Sequence, residues 1–147
     1  MRVLGLDVGT KTLGVAMSDS GQMLAQACEV LVRRGEAHDV TAIVARVAQH
    51  DVGVVVVGLP LELDGSRGHR VRLVERFVRA LTSQLEPMGV TLETWDERFS
   101  TAAAERTLIE GGLSRARRKA RVDAVAAQFL LQGWLDARRR TSRVTNS

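Results

Sequence analysis

GLDVGTKTLGVAMSD, residues 5–19, sets one carboxylate, Asp7, among apolar residues and follows it with a tight turn. Desolvating an ionised carboxylate costs several kcal/mol unless a cation or hydrogen-bond donors compensate. A basic side chain, backbone amides or a metal must therefore meet that charge. The stretch reads as two strands, residues 2–8 and 12–19, joined by the GTKT turn, and Ser20-Gly21 leads into a third strand over 22–32. Short spacing and turn residues predict antiparallel hairpins.

Outward from this hairpin the period changes. Val40, Ile43, Val44 and Val47 recur at helical spacing, which predicts a helix over 36–50. Val54 to Gly58 is a continuous β-branched run, the mark of a strand covered on both faces. Pro60 ends it and LDGSRG forms a loop. Val71, Val74, Phe77, Val78, Leu81 and Leu85 define an amphipathic helix that stops before Pro87, and VTLETWDE, residues 90–97, is a fifth strand. Ser100 or Thr101 is placed to cap a helix that ends at Gly111-Gly112. LSRARRK then reads as a basic loop, residues 119–137 as a final helix, and RRRTSRVTNS as a disordered tail. The order βββαβαβαα implies an α/β domain over 1–137, with a five-stranded mixed sheet (three antiparallel strands, then crossover units) flanked by helices, and a basic tail at 138–147.

Composition narrows the function classes. The longest apolar run, VGVVVVGLPL, is far shorter than the ~20 residues of a membrane helix. The N-terminus lacks the pattern of a signal peptide, so a cytoplasmic protein without membrane partners is expected. The single cysteine, Cys28, excludes an internal disulfide and reads as strand packing. Residues 115–147 hold nine basic residues against Asp123 and Asp136, a net of +7, which leaves −3 for the preceding 114. A basic end on a mildly acidic body points to a polyanion. With 3% aromatic residues and no tyrosine, extensive base stacking is not expected, so recognition should be of shape and backbone.

Three acids fall where burial is expected. Asp7 is the first. At the end of the fifth strand, alternation separates Asp96 from Glu97: one sides with Leu92 and Thr94, the other with Trp95. On the last helix Asp123 shares a face with Ala127, Leu130 and Trp134. His38, His50 and His69 all lie outside these stretches. Clustered carboxylates repel, and hard divalent cations with oxygen ligands resolve that repulsion. Such a set suits Mg²⁺ or Mn²⁺ and phosphoryl transfer. Of 21 basic residues only Lys11 and Lys119 are lysine, and both sit in stretches that bear one of these acids. An ammonium is a compact point charge, unlike the planar guanidinium fork.

Four blocks in order, GLDVGTKTLGVAMSD, VVGLPLELDGSRG, WDERFSTAAAE and RKARVDAVAAQFLLQ, resemble the YqgF/RuvX family over residues 2–137. These are nucleases of the ribonuclease H-like fold related to Holliday junction resolvases. The resemblance implies Asp7, Glu97 and Asp123 as metal-binding catalytic acids, and it prefers Glu97 to Asp96 by analogy alone. Resolvase relatives carry their second acid after the fourth strand, where this chain has Gly58-Leu59-Pro60. The expected activity is a Mg²⁺- or Mn²⁺-dependent endonuclease on structured nucleic acid, processing the 16S ribosomal RNA precursor in ribosome biogenesis. Its rivals are a Holliday junction resolvase acting as a dimer, a noncatalytic RNA-binding factor, and an ATP-binding domain whose phosphate hairpin DVGT would resemble. The ATP reading wants a second lobe for which 147 residues leave no room. Partners are thus structured RNA or branched DNA, bound by a monomer or homodimer. Lys11, Arg98, Ser100, Thr101, Arg115, Arg117, Arg118, Lys119 and Arg121 are the expected nucleic-acid-binding residues.

Overall fold

The computed structural model describes residues 1–62, 64–97 and 115–146, with 115–122 and 142–146 described as backbone only. Their order is β1 (Arg2–Val8), β2 (Thr12–Ser18), β3 (Ala25–Val32), α1 (Glu36–Gln49), β4 (Val52–Leu59), α2 (His69–Leu85), a 3-10 turn (Glu86–Met88), β5 (Thr91–Asp96) and α3 (Arg115–Asn146). The strands form one sheet in the order β3-β2-β1-β4-β5. The hairpins β1–β2 and β2–β3 are antiparallel, while β4 lies parallel to both β1 and β5. This is the expected mixed sheet flanked by helices. The Ser100/Thr101 helix lies outside the described residues.

Alternation splits the core into two layers. Leu4, Leu6 and Val8 of β1, with Leu13 and Val15 of β2 and Val55 and Val57 of β4, face α1 and α2, where Ile43, Phe77, Leu81 and Leu85 complete one cluster. Val3, Ala16, Val54 and Val56 face α3 and meet Ala127, Leu130, Leu131 and Trp134. Both faces of β1 and β4 are covered, which is why the VVVV run has no polar member. Fully burying a Leu or Phe side chain contributes about 1.5–3 kcal/mol, so each cluster is a major share of the fold's stability. The α3 face uses small residues to bring the helix close: a Cβ at Gly5 would stand 2.9 Å from Leu131 Cβ, and one at Gly14 would overlap the Asp123 carbonyl.

Three expectations are corrected. Cys28 is exposed, not packed. β3 is an edge strand, and its register skips Cys28: Val15 pairs with Glu29 and Ala16 with Ala27, leaving Cys28 as the extra residue of a bulge. The basic stretch from Arg115 is helical rather than loop, and the tail from Arg138 stays helical as far as Asn146. Ala and Arg rank among the best helix formers, and no Gly or Pro interrupts the chain after Gly133. Arg139 also pairs with Asp136 one turn back, and Thr141 donates to the Ala137 carbonyl at 3.0 Å.

Candidate active site

The acids gather at the carboxyl end of the parallel strands, on the α3 face. Asp7 is the next-to-last residue of β1, opposite Gly14 of β2. It is half-buried. Leu6 pairs with Val57, so Asp7 stands beside Gly58 of β4, and Gly58 pairs in turn with Trp95 of β5. Trp95 packs in the α3-facing cluster. Glu97, two residues on, shares that face and folds back over β4. A Cβ on Gly58 would lie 2.5 Å from Glu97 Oε1, so the bare glycine makes the space the carboxylate occupies. Asp96 sides with Thr94 and Leu92, and Leu92 packs against the α1/α2 cluster. The alternation thus puts Glu97, not Asp96, on the side of Asp7.

Asp123 arrives from α3, whose backbone lies directly over Gly14. Its carboxylate accepts a hydrogen bond from the Thr12 hydroxyl. Thr12 did not figure among the expected site residues. It is the last residue of the GTKT turn and opens β2 on the face that α3 covers.

The electrostatics are those of acids crowded together. Burial first, then a hydrogen bond to Asp7 and the charge of Asp7, push Glu97 up to about 9. Asp123 adds to the rise, and Arg70 opposes it. Two carboxyls in such contact hold a proton between them more readily than an isolated Glu97 would. Arg70, in the first turn of α2, is the second group that sequence reasoning missed. It also lines a small hollow with Gly9, Thr10 and Arg33, beneath the β1–β2 turn. Lys11 is exposed on that turn, and its carbonyl accepts from the Arg33 amide at 2.9 Å.

Hard oxygen donors in mutual repulsion fit a divalent cation better than any other ligand. The fit is chemical more than geometric as the side chains stand: among the described residues no three His, Cys, Asp or Glu groups converge as a ready metal cage. Asp7 and Glu97 touch each other, whereas Asp123 is turned to Thr12. Arg98, Ser100 and Thr101 lie outside the described residues. Arg115, Arg117, Arg118, Lys119 and Arg121 occupy the first turns of α3, upstream of Asp123, and only their backbone is described. A hollow of about 460 Å³ lies elsewhere, lined by Arg2, Ser18, Asp19, Arg46 and His50 at the opposite end of the sheet. The acids instead lie where a large substrate could reach them from the strand ends.

Sheet order and crossover pattern give the chain a ribonuclease H-like fold. The fold matches RuvC of T. thermophilus in complex with a Holliday junction substrate, at a TM-score of 0.58 and 20% identity, over 95% of this chain and 96% of that one. It matches the fowlpox virus resolvase in complex with Holliday junction DNA at a TM-score of 0.58 and 10% identity, over 93% and 98%. The RuvX family, described as Holliday junction resolvase, matches residues 1–137, and the chain belongs to that family. A relative from Myxococcus xanthus, named as a pre-16S rRNA nuclease, is 50% identical over 95% of this chain and 90% of its own length. One of the same name from Symbiobacterium thermophilum is 48% identical over 94% of each. No helix among the described residues is long and apolar enough to cross a membrane.

Proposed function

We propose that this chain is a divalent-metal-dependent endonuclease that processes the 16S ribosomal RNA precursor, with Asp7, Glu97 and Asp123 as the ligands of Mg²⁺ or Mn²⁺. The observation that carries the reading is the pairing of Asp7 with Glu97 across Gly58, since two carboxylates in contact need a proton or a cation between them. Relatives at 48–50% identity named for this activity support the substrate. When bound, the ion supplies Lewis acidity and a water of lowered pKa beside the scissile phosphodiester.

The chain's own residues orient the rest. Thr12 holds the Asp123 carboxylate by its hydroxyl. Lys11, on the exposed turn two residues after Gly9, offers a point charge to a phosphate, and Arg70 offers a second beside the acids. Arg115, Arg117, Arg118, Lys119 and Arg121 hold the backbone upstream of Asp123, with Arg98, Ser100 and Thr101 on the chain after Glu97. A reading as a dimeric junction resolvase draws on the family's description.

Purified chain with Mn²⁺, assayed on matched precursor-RNA and four-way-junction substrates, separates the two. Cleavage of the RNA by a monomer supports the proposal. Symmetric junction cleavage by a dimer, with the RNA untouched, replaces it. Binding without cleavage of either would make the chain a noncatalytic factor.

A further inference from the structure

The turn between β1 and β2 is held from outside. Gly9 and Thr12 close it, the Gly9 amide donating to the Thr12 carbonyl at 2.8 Å, and Thr10 and Lys11 stand exposed at its tip. Two-residue hairpin turns favour positive φ at one or both central positions, because that twist matches the twist of the strands. Among the described residues the only non-glycines with positive φ are Gln22 and Asp51, so neither Thr10 nor Lys11 supplies it. The hairpin therefore lacks the turn chemistry that would fix its tip unaided.

Arg33 gives that aid. It follows the last residue of β3 and stands beside the turn, because Val32 pairs with Thr12. Its amide donates to the Lys11 carbonyl at 2.9 Å, and its Nη1 donates to the Gly9 carbonyl at 3.1 Å. The same guanidinium donates through Nε to Asp39 Oδ2 at 3.1 Å and lies over the Phe77 ring. Asp39 is buried, and the Arg34 amide fixes its other oxygen at 3.0 Å. Acid and aromatic ring, from α1 and α2, thus lock one planar fork whose free branch ends on the turn. An ammonium, a point charge, cannot copy that span. An ion pair that served the core alone would have no reason to reach Gly9, which lies two residues beyond Asp7. We propose that Arg33 is a positioning residue of the active site: locked by Asp39, it fixes the 9–12 turn so that the Lys11 ammonium is presented to a substrate phosphate. The role of Lys11 rests on the function proposed above, whereas the fixing of the turn does not.

The test uses Arg33→Lys, Lys11→Met and the double variant, with EDTA present so that nothing is cleaved. Arg33→Lys keeps the charge opposite Asp39 and gives up the fork. Hydrogen exchange of the free protein is read at the amides of Gly9 and residue 33, which close on the turn. In Arg33→Lys they should open about tenfold more often, measured against Val55 and Val57 of the central strand, which report global stability. Binding to a blunt RNA duplex is then followed against salt. Lys11→Met should flatten the slope by up to ~0.9, one phosphate contact. Arg33→Lys should flatten it similarly although the net charge is unchanged, and weaken binding about fivefold at low salt. The double variant should match Lys11→Met, because the lysine that Arg33 positions is already gone. Turn amides that open no faster than in wild type, a slope unchanged in either single variant, or losses that add in the double variant each overturn the proposal. Cleavage with Mn²⁺ is scored separately on the wild-type chain. No cleavage with the expected cycle rejects the proposed reaction alone, and cleavage with additive losses rejects the positioning role alone.

Discussion

Two carboxylates on opposite faces of the same sheet show how differently a fold treats a buried acid. Asp39, on α1, is 2% exposed. Burial would raise its pKa, but the Arg34 amide at 3.0 Å and the Arg33 guanidinium at 3.1 Å outweigh it, and the carboxyl is held below the usual range. Arg33 is itself committed: it donates to the Gly9 carbonyl at 3.1 Å and lies 5.4 Å from the Phe77 ring centroid. That acid is part of the scaffold and stays ionised. Glu97 leans instead on Asp7, with Asp123 near, and is pushed up to about 9. The first charge is answered from within the chain, and the second is crowded by charges of its own sign. Only the second arrangement is suited to an external cation.

The largest expected effect tests the crowded side. Asp7→Asn should reduce single-turnover cleavage by at least about a thousandfold, about 4 kcal/mol in the barrier. The melting temperature should hold or rise, since a repulsive charge is removed. A mutant within about tenfold of wild type, about 1.4 kcal/mol, would return Asp7 to the status of Asp39 as an acid of the scaffold.

Within the same cluster the two neighbours at the end of β5 should part company. Glu97→Gln should lose at least about a hundredfold, close to 3 kcal/mol, while Asp96→Asn loses no more than a few-fold. Gly58→Ala sharpens the point, because it leaves all three acids in the chain and drives a methyl into the space that Glu97 fills. Its cleavage should fall toward that of Glu97→Gln. Comparable losses at positions 96 and 97 would undo the facing argued from Trp95.

Asp39→Asn tests the satisfied side, and its readout is stability. Breaking a buried pair by removing one partner costs about 3 kcal/mol, because Arg33 stays behind. The effect has a definite pH sign. The folded pKa lies below the unfolded one, so the ionised carboxylate contributes its full stabilisation above the ordinary aspartate value of about 3.9. That contribution fades as pH falls through the folded pKa. Denaturation midpoints of the two proteins should differ at pH 7 and converge in strong acid. A gap that persists unchanged in acid would mean packing, not charge, is what Asp39 supplies.

Much of this contrast was legible in the residues. Period-2 and period-3.6 patterns are strong where a segment is covered on one face or two, and for that reason all five strands, α1 and α2 fall close to where the sequence puts them. Asp7 announced itself by being an acid in an apolar strand. Asp96 and Glu97 could not be told apart, because alternation says that two residues face opposite ways without saying which way the last helix lies. Cys28 was misplaced since an edge strand and an inner strand can share one composition. Thr12 and Arg70 had no local signal at all: they reach the acids through the hairpin and through the start of α2, which only the folded chain brings together. The basic stretches at 115–118 and 138–146 read as irregular because dense charge suggests solvated chain, whereas arginine and alanine are good helix formers in water.

The smallest expected effects fall at the start of α3 and sharpen the same comparison, between charge that captures and charge that reacts. Replacing Arg115, Arg117 and Arg118 with alanine should weaken binding to all structured nucleic acids by similar factors, and should flatten the salt slope by up to ~0.9 for each duplex phosphate left without its arginine. Alanine keeps the helix, so the change reads charge alone. Cleavage at saturating substrate should fall far less, because contacts made equally in ground state and transition state do not lower the barrier between them. Lys119→Arg keeps the charge one turn before Asp123, so affinity should hold. If the compact ammonium is what the site uses, the bulkier guanidinium should lower single-turnover cleavage several-fold, about 1 kcal/mol. Single-turnover cleavage and salt-dependent binding, measured on both variants, decide it. An unchanged slope in the triple variant would remove these arginines from the interface. Full turnover in Lys119→Arg would place Lys119 among them as one more capturing charge, and would leave Lys11 as the single lysine whose identity matters.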